Sequence, residues 1–209
     1  MAYKRRGNIS KITGNMVTVT TDDFMVQNEV AYILHKDDRL KSEVIRIRGN
    51  NAEMQVFEST DRLRVGDDVE FSQELLSVEL GPGLLGQIFD GLQNPLPELA
   101  AQCGFFLKRG VYLEALNDKE QWEFAPSVNQ GERVFAGQKL GSVPEKTFKH
   151  FIMAPFGLKG SLEVLSIAQA GRYAAKQPIA QLRDADGKIH EVCMVQTWPV
   201  KIPIKAYVE

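Results

Sequence analysis

Gly81, Gly83 and Gly86 stand at the G-x-G-x-x-G spacing that, in a strand-turn-helix unit, brings backbone amides against a pyrophosphate. Their neighbours argue against that use. Pro82 separates the first two glycines, and Asp90-Gly91 and Asn94-Pro95 place turns where a phosphate-facing helix would have to run. The spacing reads instead as a place where the backbone crosses close to its surroundings or takes positive φ, followed by a short helix from Pro97 to Gln102 that Gly104 stops. A triphosphate cradle is missing as well. The pair Gly187-Lys188 has Leu182 where the first glycine of G-x-x-x-x-G-K-[ST] belongs and Ile189 where the metal-binding hydroxyl belongs.

Other chemistry-bearing residues are scattered. There is no G-x-S-x-G elbow, and His35, His150 and His190 have no neighbouring serine or cysteine in a strand-turn-helix setting. Asp22, Asp23, Asp37 and Asp38 fall in turn-like clusters that read as solvated loops. Cys103 and Cys193 lack the paired spacing of a zinc site and read as free thiols of a reducing, cytoplasmic compartment. No catalytic, cofactor-binding or metal-ligating residue is therefore expected.

The elements that would position these residues are mainly β. Asn8–Thr13 and Met16–Thr20 flank Gly14-Asn15 as a tight hairpin, and Val30–Leu34 follows. Glu43–Arg48 and Glu53–Phe57 pair around Gly49-Asn50-Asn51, with Ile45 and Ile47 facing one way and Arg46 and Arg48 the other. With one more turn and strand at 65–69, residues 1–70 read as an antiparallel β-barrel of six or seven strands, closed so that no edge is left. From Arg109 the pattern is β again, with Val111, Leu113, Trp122 and Phe124 as core. Gly131–Val143 has a partial echo about forty residues later in Gly171–Tyr173 and Gln177–Leu182, around the turn-rich Ile152–Gly157. Two related β halves suggest a barrel-sandwich module like the lipoyl and biotinyl carrier domains. Such carriers hold a cofactor on an exposed lysine at a hairpin tip, usually three residues after a glutamate. Counting from Glu145 lands on Phe148, and neither Lys146 nor Lys149 has the methionine or aspartate neighbour of a modification site.

Length and composition agree with a folded chain of one large or two small domains: 209 residues, 44% hydrophobic and 25% charged. A net charge of -2 gives no global attraction to nucleic acid or anionic membrane, and no apolar run reaches the roughly 18 residues of a membrane span.

Several segments, in order, resemble one family. Leu80–Leu96, with Gly81, Pro82, Gly83, Gly86, Asp90, Gly91 and Pro95, is similar to the signature of the catalytic A (alpha) subunit of V-type and archaeal-type rotary ATPases. Arg109-Gly110-Val111, Trp122–Pro126, Gly131–Val143, His150–Pro155 and Gln196–Val200, with Trp198 and Pro199, fall where that subunit has like residues. Arg62, Asn94 and Phe151 depart from the family pattern and suit a divergent bacterial branch. The resemblance implies a crown barrel over 1–70, a connector at 71–109 that starts the nucleotide domain, a barrel-sandwich bulge over 110–195, and a return at 196–209 that stops before the phosphate-binding loop. It implies an N-terminal fragment of an enzyme that couples ATP synthesis or hydrolysis to proton or sodium movement. ATP and magnesium would then belong to the longer parent and not to these residues. The implied partners are the B (beta) subunits of the alternating hexamer, the peripheral stalk through the bulge and barrel, and the central stalk. Neither nucleic acid nor direct membrane insertion is implied, and the place is the cytoplasmic face of a membrane. The alternative is a free-standing carrier or binding module of the biotinyl or lipoyl type.

The missing amide cradle, lysine and hydroxyl lead to the first prediction. Titration of this 209-residue chain with magnesium-ATP in a calorimeter is expected to give no saturable heat, and micromolar, magnesium-dependent binding would overturn the reading.

Overall fold

The computed structural model describes residues 4–104 and 108–205, which form two compact units. One takes the described parts of 1–77, 97–113 and 199–201, and the other those of 78–96, 114–198 and 202–209.

In the first unit, alternating apolar residues build β1 (Arg6–Thr13), β2 (Met16–Thr20), β3 (Glu29–His35), β4 (Asp38–Arg48), β5 (Asn51–Val56) and β6 (Asp68–Leu75). They close in the order β1-β2-β5-β4-β3-β6, so the expected barrel has six strands, the last reaching Leu75. Ile9, Val19, Ile33, Leu40, Met54 and Val69 fill the interior, each at most 1% exposed. Three hairpins use two-residue loops, Gly14-Asn15, Lys36-Asp37 and Gly49-Asn50, and each puts its first residue at positive φ. The third is one residue shorter than the sequence suggests, because Asn51 already pairs with Arg48.

Two expectations are corrected in this unit. The β4–β5 register shifts between Val44 and Arg46, so Ile45 is the extra residue of a bulge. The core-facing pair is therefore Val44, fully buried, and Ile47, packed against the core. The strand expected from Arg109 is absent: 108–120 carries no strand, and Val111 and Leu113 are only half-buried. Gly110 explains the break. Its φ is +71, and its N–H donates to the Glu58 carboxylate at 3.1 Å instead of to a sheet partner.

The barrel also buries a charge. Glu29, 1% exposed, is ion-paired with Arg5 and accepts the N–H groups of Gln73 at 2.6 Å and Val26 at 3.2 Å. Farther along, the helix α1 (Leu96–Cys103) follows β7 (Ser77–Leu80) in the chain, and Gly104 at positive φ ends it by donating to Ala100 O.

The second unit is a sandwich of β8 (Gln121–Pro126), β9 (Arg133–Val134), β10 (Lys139–Glu145), β11 (Phe148–Met153), β12 (Leu162–Ile167), β13 (Gly171–Ala174), β14 (Ala180–Arg183) and β15 (Ile189–Val192). Its two sheets run β11-β10-β8-β13 and β15-β14-β12-β9. Adding four to each strand number of the first half gives the second, so the orders are related by an internal two-fold, and each half lends one short strand to the other's sheet. This is the physical content of the sequence echo. Phe124, Val143 and Ile152 pack on one side of the core, and Leu140, Leu162, Val164 and Leu182 form another cluster. Gly141 must lack a side chain: a Cβ there would overlap the Phe124 ring and stand 2.7 Å from Ala125 O. A last strand, β16 (Gln196–Pro199), pairs with β7.

The β14–β15 turn is held by one carboxylate. Asp184 accepts the N–H groups of Asp186 and Lys188, and its second oxygen meets His190 Nε2 at 2.7 Å. The hydrogen bond from His190 holds the Asp184 carboxyl below its ordinary value. A carboxyl held low in the folded state adds stability that is present above its unfolded pKa and is lost as pH falls through the folded one. Stability is thus expected to drop as pH decreases below about 4 through this turn, and Asp184→Asn should flatten that part of the profile. Urea midpoints measured across the acid range would show it; identical slopes for the two proteins would refute it.

Candidate functional site at the glycine-proline segment

The segment that follows β7 lies in the second unit, and its glycines serve close approach. A Cβ on Gly81 would stand 3.0 Å from Val195 Cγ2 and 3.2 Å from Leu116 Cδ1. Gly83 has φ +105, and a Cβ there would meet Trp122 Cζ2 at 3.3 Å. Gly86, at φ +78, faces the Lys146 ammonium so closely that a Cβ would overlap it. Pro82 and Pro95 are buried.

One side chain organises the crossing. Glu145, at the end of β10, is 2% exposed. Its Oε1 accepts the N–H groups of Gly83 at 2.8 Å and Leu85 at 3.2 Å, and its Oε2 meets His150 Nδ1 at 2.7 Å. Successive amides at positive-φ glycines are the groups a phosphate would need. Here a carboxylate from the protein itself already holds two amides of the stretch, those of Gly83 and Leu85. No helix follows the third glycine; the next one, α1, begins at Leu96. The segment therefore differs from a strand-turn-helix phosphate loop in both its amides and its following element.

Asp90 shapes the rest. It accepts the N–H groups of Leu92 and Asn94 at 2.9 and 2.8 Å through Oδ1, and the Asn94 side-chain amide at 2.8 Å through Oδ2. Asn94, where the family resemblance would place arginine, is 3% exposed and completes this turn. The Gln93 amide pairs with Glu79 of β7 in the manner of a strand, accepting its N–H and donating to its C=O. Nothing in the packing requires glycine at 91, where a Cβ would meet open space. Trp198 lies on β16, away from this carboxylate, and packs edge-on against Phe156 at 5.8 Å between ring centres, its indole N–H donating to Ile202 O. Pro199 closes the same strand. Of the nine signature residues, Gly81, Gly83, Gly86, Asp90 and Trp198 make the contacts named above.

Sequence reasoning did not single out Glu145, His150, Gln93 or Asn94 for these contacts. Glu145 had a readable signal, since it shares the parity of Gly141 and buried Val143 on β10 and so points to the core side.

Comparison with known proteins matches the two modules separately. Residues 9–73 match the ATP synthase alpha/beta family β-barrel domain, and residues 113–201 match the ATP synthase alpha/beta subunit barrel-sandwich domain. The V-type ATP synthase alpha chain 1 of Treponema pallidum is 52% identical over 98% of this chain. The chain belongs to the ATP synthase alpha/beta family. V-type ATP synthase alpha chains of Treponema denticola and Borrelia garinii are each 48% identical over 99% of it. The chain spans about a third of the length of these relatives, 35% or 36%.

Glu145→Ala leaves two amides and an imidazole without their shared acceptor, which is expected to cost about 1–3 kcal/mol. Hydrogen exchange at Gly83 and Leu85 should accelerate in this variant while the Leu162–Leu182 core stays protected. Unchanged exchange at both amides would show that the carboxylate does not hold the segment.

Proposed function

We propose that this chain is the N-terminal part of the catalytic alpha (A) subunit of a V-type ATP synthase or ATPase, and that its role there is assembly and docking. The observation that carries the reading is the ordered pair of family modules, barrel then barrel-sandwich, at about half identity to alpha chains nearly three times as long. The glycine-proline segment supports it from the other side, because its amides serve Glu145. Nucleotide and magnesium chemistry then falls to residues beyond these 209, at a phosphate loop of the parent protein.

In this reading, residues 1–70 form the crown barrel that meets B (beta) subunits in an alternating hexamer, and 110–195 form the bulge that meets the peripheral stalk. The residues at 71–109 start the nucleotide domain and those at 196–209 return into it, and the complex sits on the cytoplasmic face of a membrane, coupling ATP synthesis or hydrolysis to proton or sodium transport. A central stalk completes the motor. The carrier reading has less to support it: Lys146, at the β10–β11 tip, lies against Gly86, a poor start for a swinging arm.

Deleting 111–194 from the full-length protein, with a short Gly-Ser linker, is expected to leave nucleotide binding intact, weaken stalk association and uncouple hydrolysis from ion transport. Pull-down of stalk subunits and ion-pumping assays on the purified complex would read this. Normal coupling and stalk binding at normal assembly levels would overturn the docking role.

A further inference from the structure

Within the second unit, the face of the β11-β10-β8-β13 sheet turned away from its core has features that its own packing does not use. Among the described residues, β11 is bonded to β10 on one side only. An edge strand left this way offers a row of main-chain donors and acceptors to another chain. Beside it runs a groove of about 650 Å³, lined in part by Glu123, Ala125, Ser142, Pro144, Lys146 and Phe148. Phe151, 38% exposed, shares this outward side with Lys149, whereas Phe148, 66% exposed, pairs with core-facing Glu145 and projects from the other side of the edge.

The charge of this face is one-sided. Lys146 and Lys149 make no ion pair among the described residues, and Lys139 Nζ sits 3.9 Å above the Phe151 ring. Glu123 is the one acid lining the groove, in a chain whose net charge is -2. The internal two-fold supplies a control. The equivalent edge, β15, has Glu191, and the turn before it has Asp184 and Asp186 beside Lys188, so the same backbone position carries mainly acids there. Lysines alone would blunt an edge against unwanted pairing. Two exposed phenylalanines among them do the opposite.

We propose that the β11 edge and its groove receive an acidic, extended segment of a partner protein, which adds to the sheet as a further strand. On the outward side of the edge a carboxylate of that segment would meet Lys149 and an apolar side chain would lie against Phe151, on the other side an apolar side chain would lie against Phe148, and Lys146 at the turn adds positive charge. Gln196 Nε2 already donates to Met153 O, so the open edge runs over Phe148–Ile152, about 17 Å and enough for a short strand. An anionic lipid surface would also suit lysine beside phenylalanine, but it would leave the main-chain edge unused. The assignment rests on the docking reading above and gives it a place and a partner chemistry.

The probe is a blocked peptide of about twelve residues that repeats valine-glutamate-glutamate-valine, so that each side carries both residue types, titrated into the 209-residue chain and followed by amide NMR. Saturable shifts and slowed exchange are expected at Phe148–Met153. The double variant Lys146→Glu, Lys149→Glu should bind it about tenfold more weakly and should instead accept the lysine-valine peptide, which also shows that the variant is folded. No shift at β11 up to millimolar peptide, or equal binding by the double variant, would overturn the proposal. So would co-sedimentation with phosphatidylserine-phosphatidylcholine vesicles that the lysine reversal abolishes while the peptide leaves β11 unmoved. In the assembled full-length complex the same double variant is compared with the 111–194 deletion. Loss of stalk association in both supports the edge as the docking place. Loss in the deletion alone keeps the docking reading and removes β11 from it, and loss in neither removes both.

Discussion

A carboxylate sealed from water persists only where hydrogen bonds and charge answer it, and burying one without partners costs several kcal/mol. Glu145 meets that condition by taking two backbone amides and an imidazole, and the glycine-proline segment owes its path to it. Positive φ at Gly83 turns the amides toward the carboxylate, and the absence of side chains at 81 and 83 lets the strand-end cross over Leu116, Trp122 and Val195. The barrel solves the same problem at Glu29, whose oxygens collect Arg5, Val26 and the positive-φ residue Gln73. In each unit, then, one deeply buried acid ties an irregular stretch of backbone to the regular sheet beside it. At Gly83 and Leu85 that arrangement occupies an amide pair from within the fold, so the pair is not open to phosphate.

How much of this could be read from residues alone follows from where the signals are local. Gly14 and Gly49 marked two hairpins because a two-residue loop needs positive φ at its first position. The hairpins at Lys36-Asp37 and Lys146-Thr147 use the same geometry with lysine in that position, and so carried no glycine to announce them. The inward-facing positions of the barrel strands were legible as period two except where register shifts at Ser10, Val30 and Ile45 change the phase, which only the pairing partner reveals. Val111 and Leu113 looked like a strand because alternation was the only evidence, while the deciding bond, from Gly110 to Glu58, joins positions far apart in sequence. The same limit hid Glu145: its partners lie about sixty residues earlier in the chain.

The sandwich shows what a weak repeat can hold. Trp122 pairs with Tyr173 and Leu162 with Val134, so the two halves put different side chains at matching places in the sheets. Shape is kept while chemistry diverges, and the divergence is largest on the outer edges, where packing imposes least. Those edges can vary without disturbing either core.

The exchanged strands have a further consequence for how the polypeptide is made. The barrel can close once β6 has left the ribosome, since its last pairings, to β1 and β3, involve nothing beyond Leu75. The sandwich has no such early point. β8 waits for β13 and β9 waits for β12, so the first half stays open at both ends until the second has been synthesised. Synthesis therefore imposes an order, an early finished barrel followed by a long interval in which half a sandwich carries its core faces uncovered, and that interval is when this chain most needs protection from aggregation.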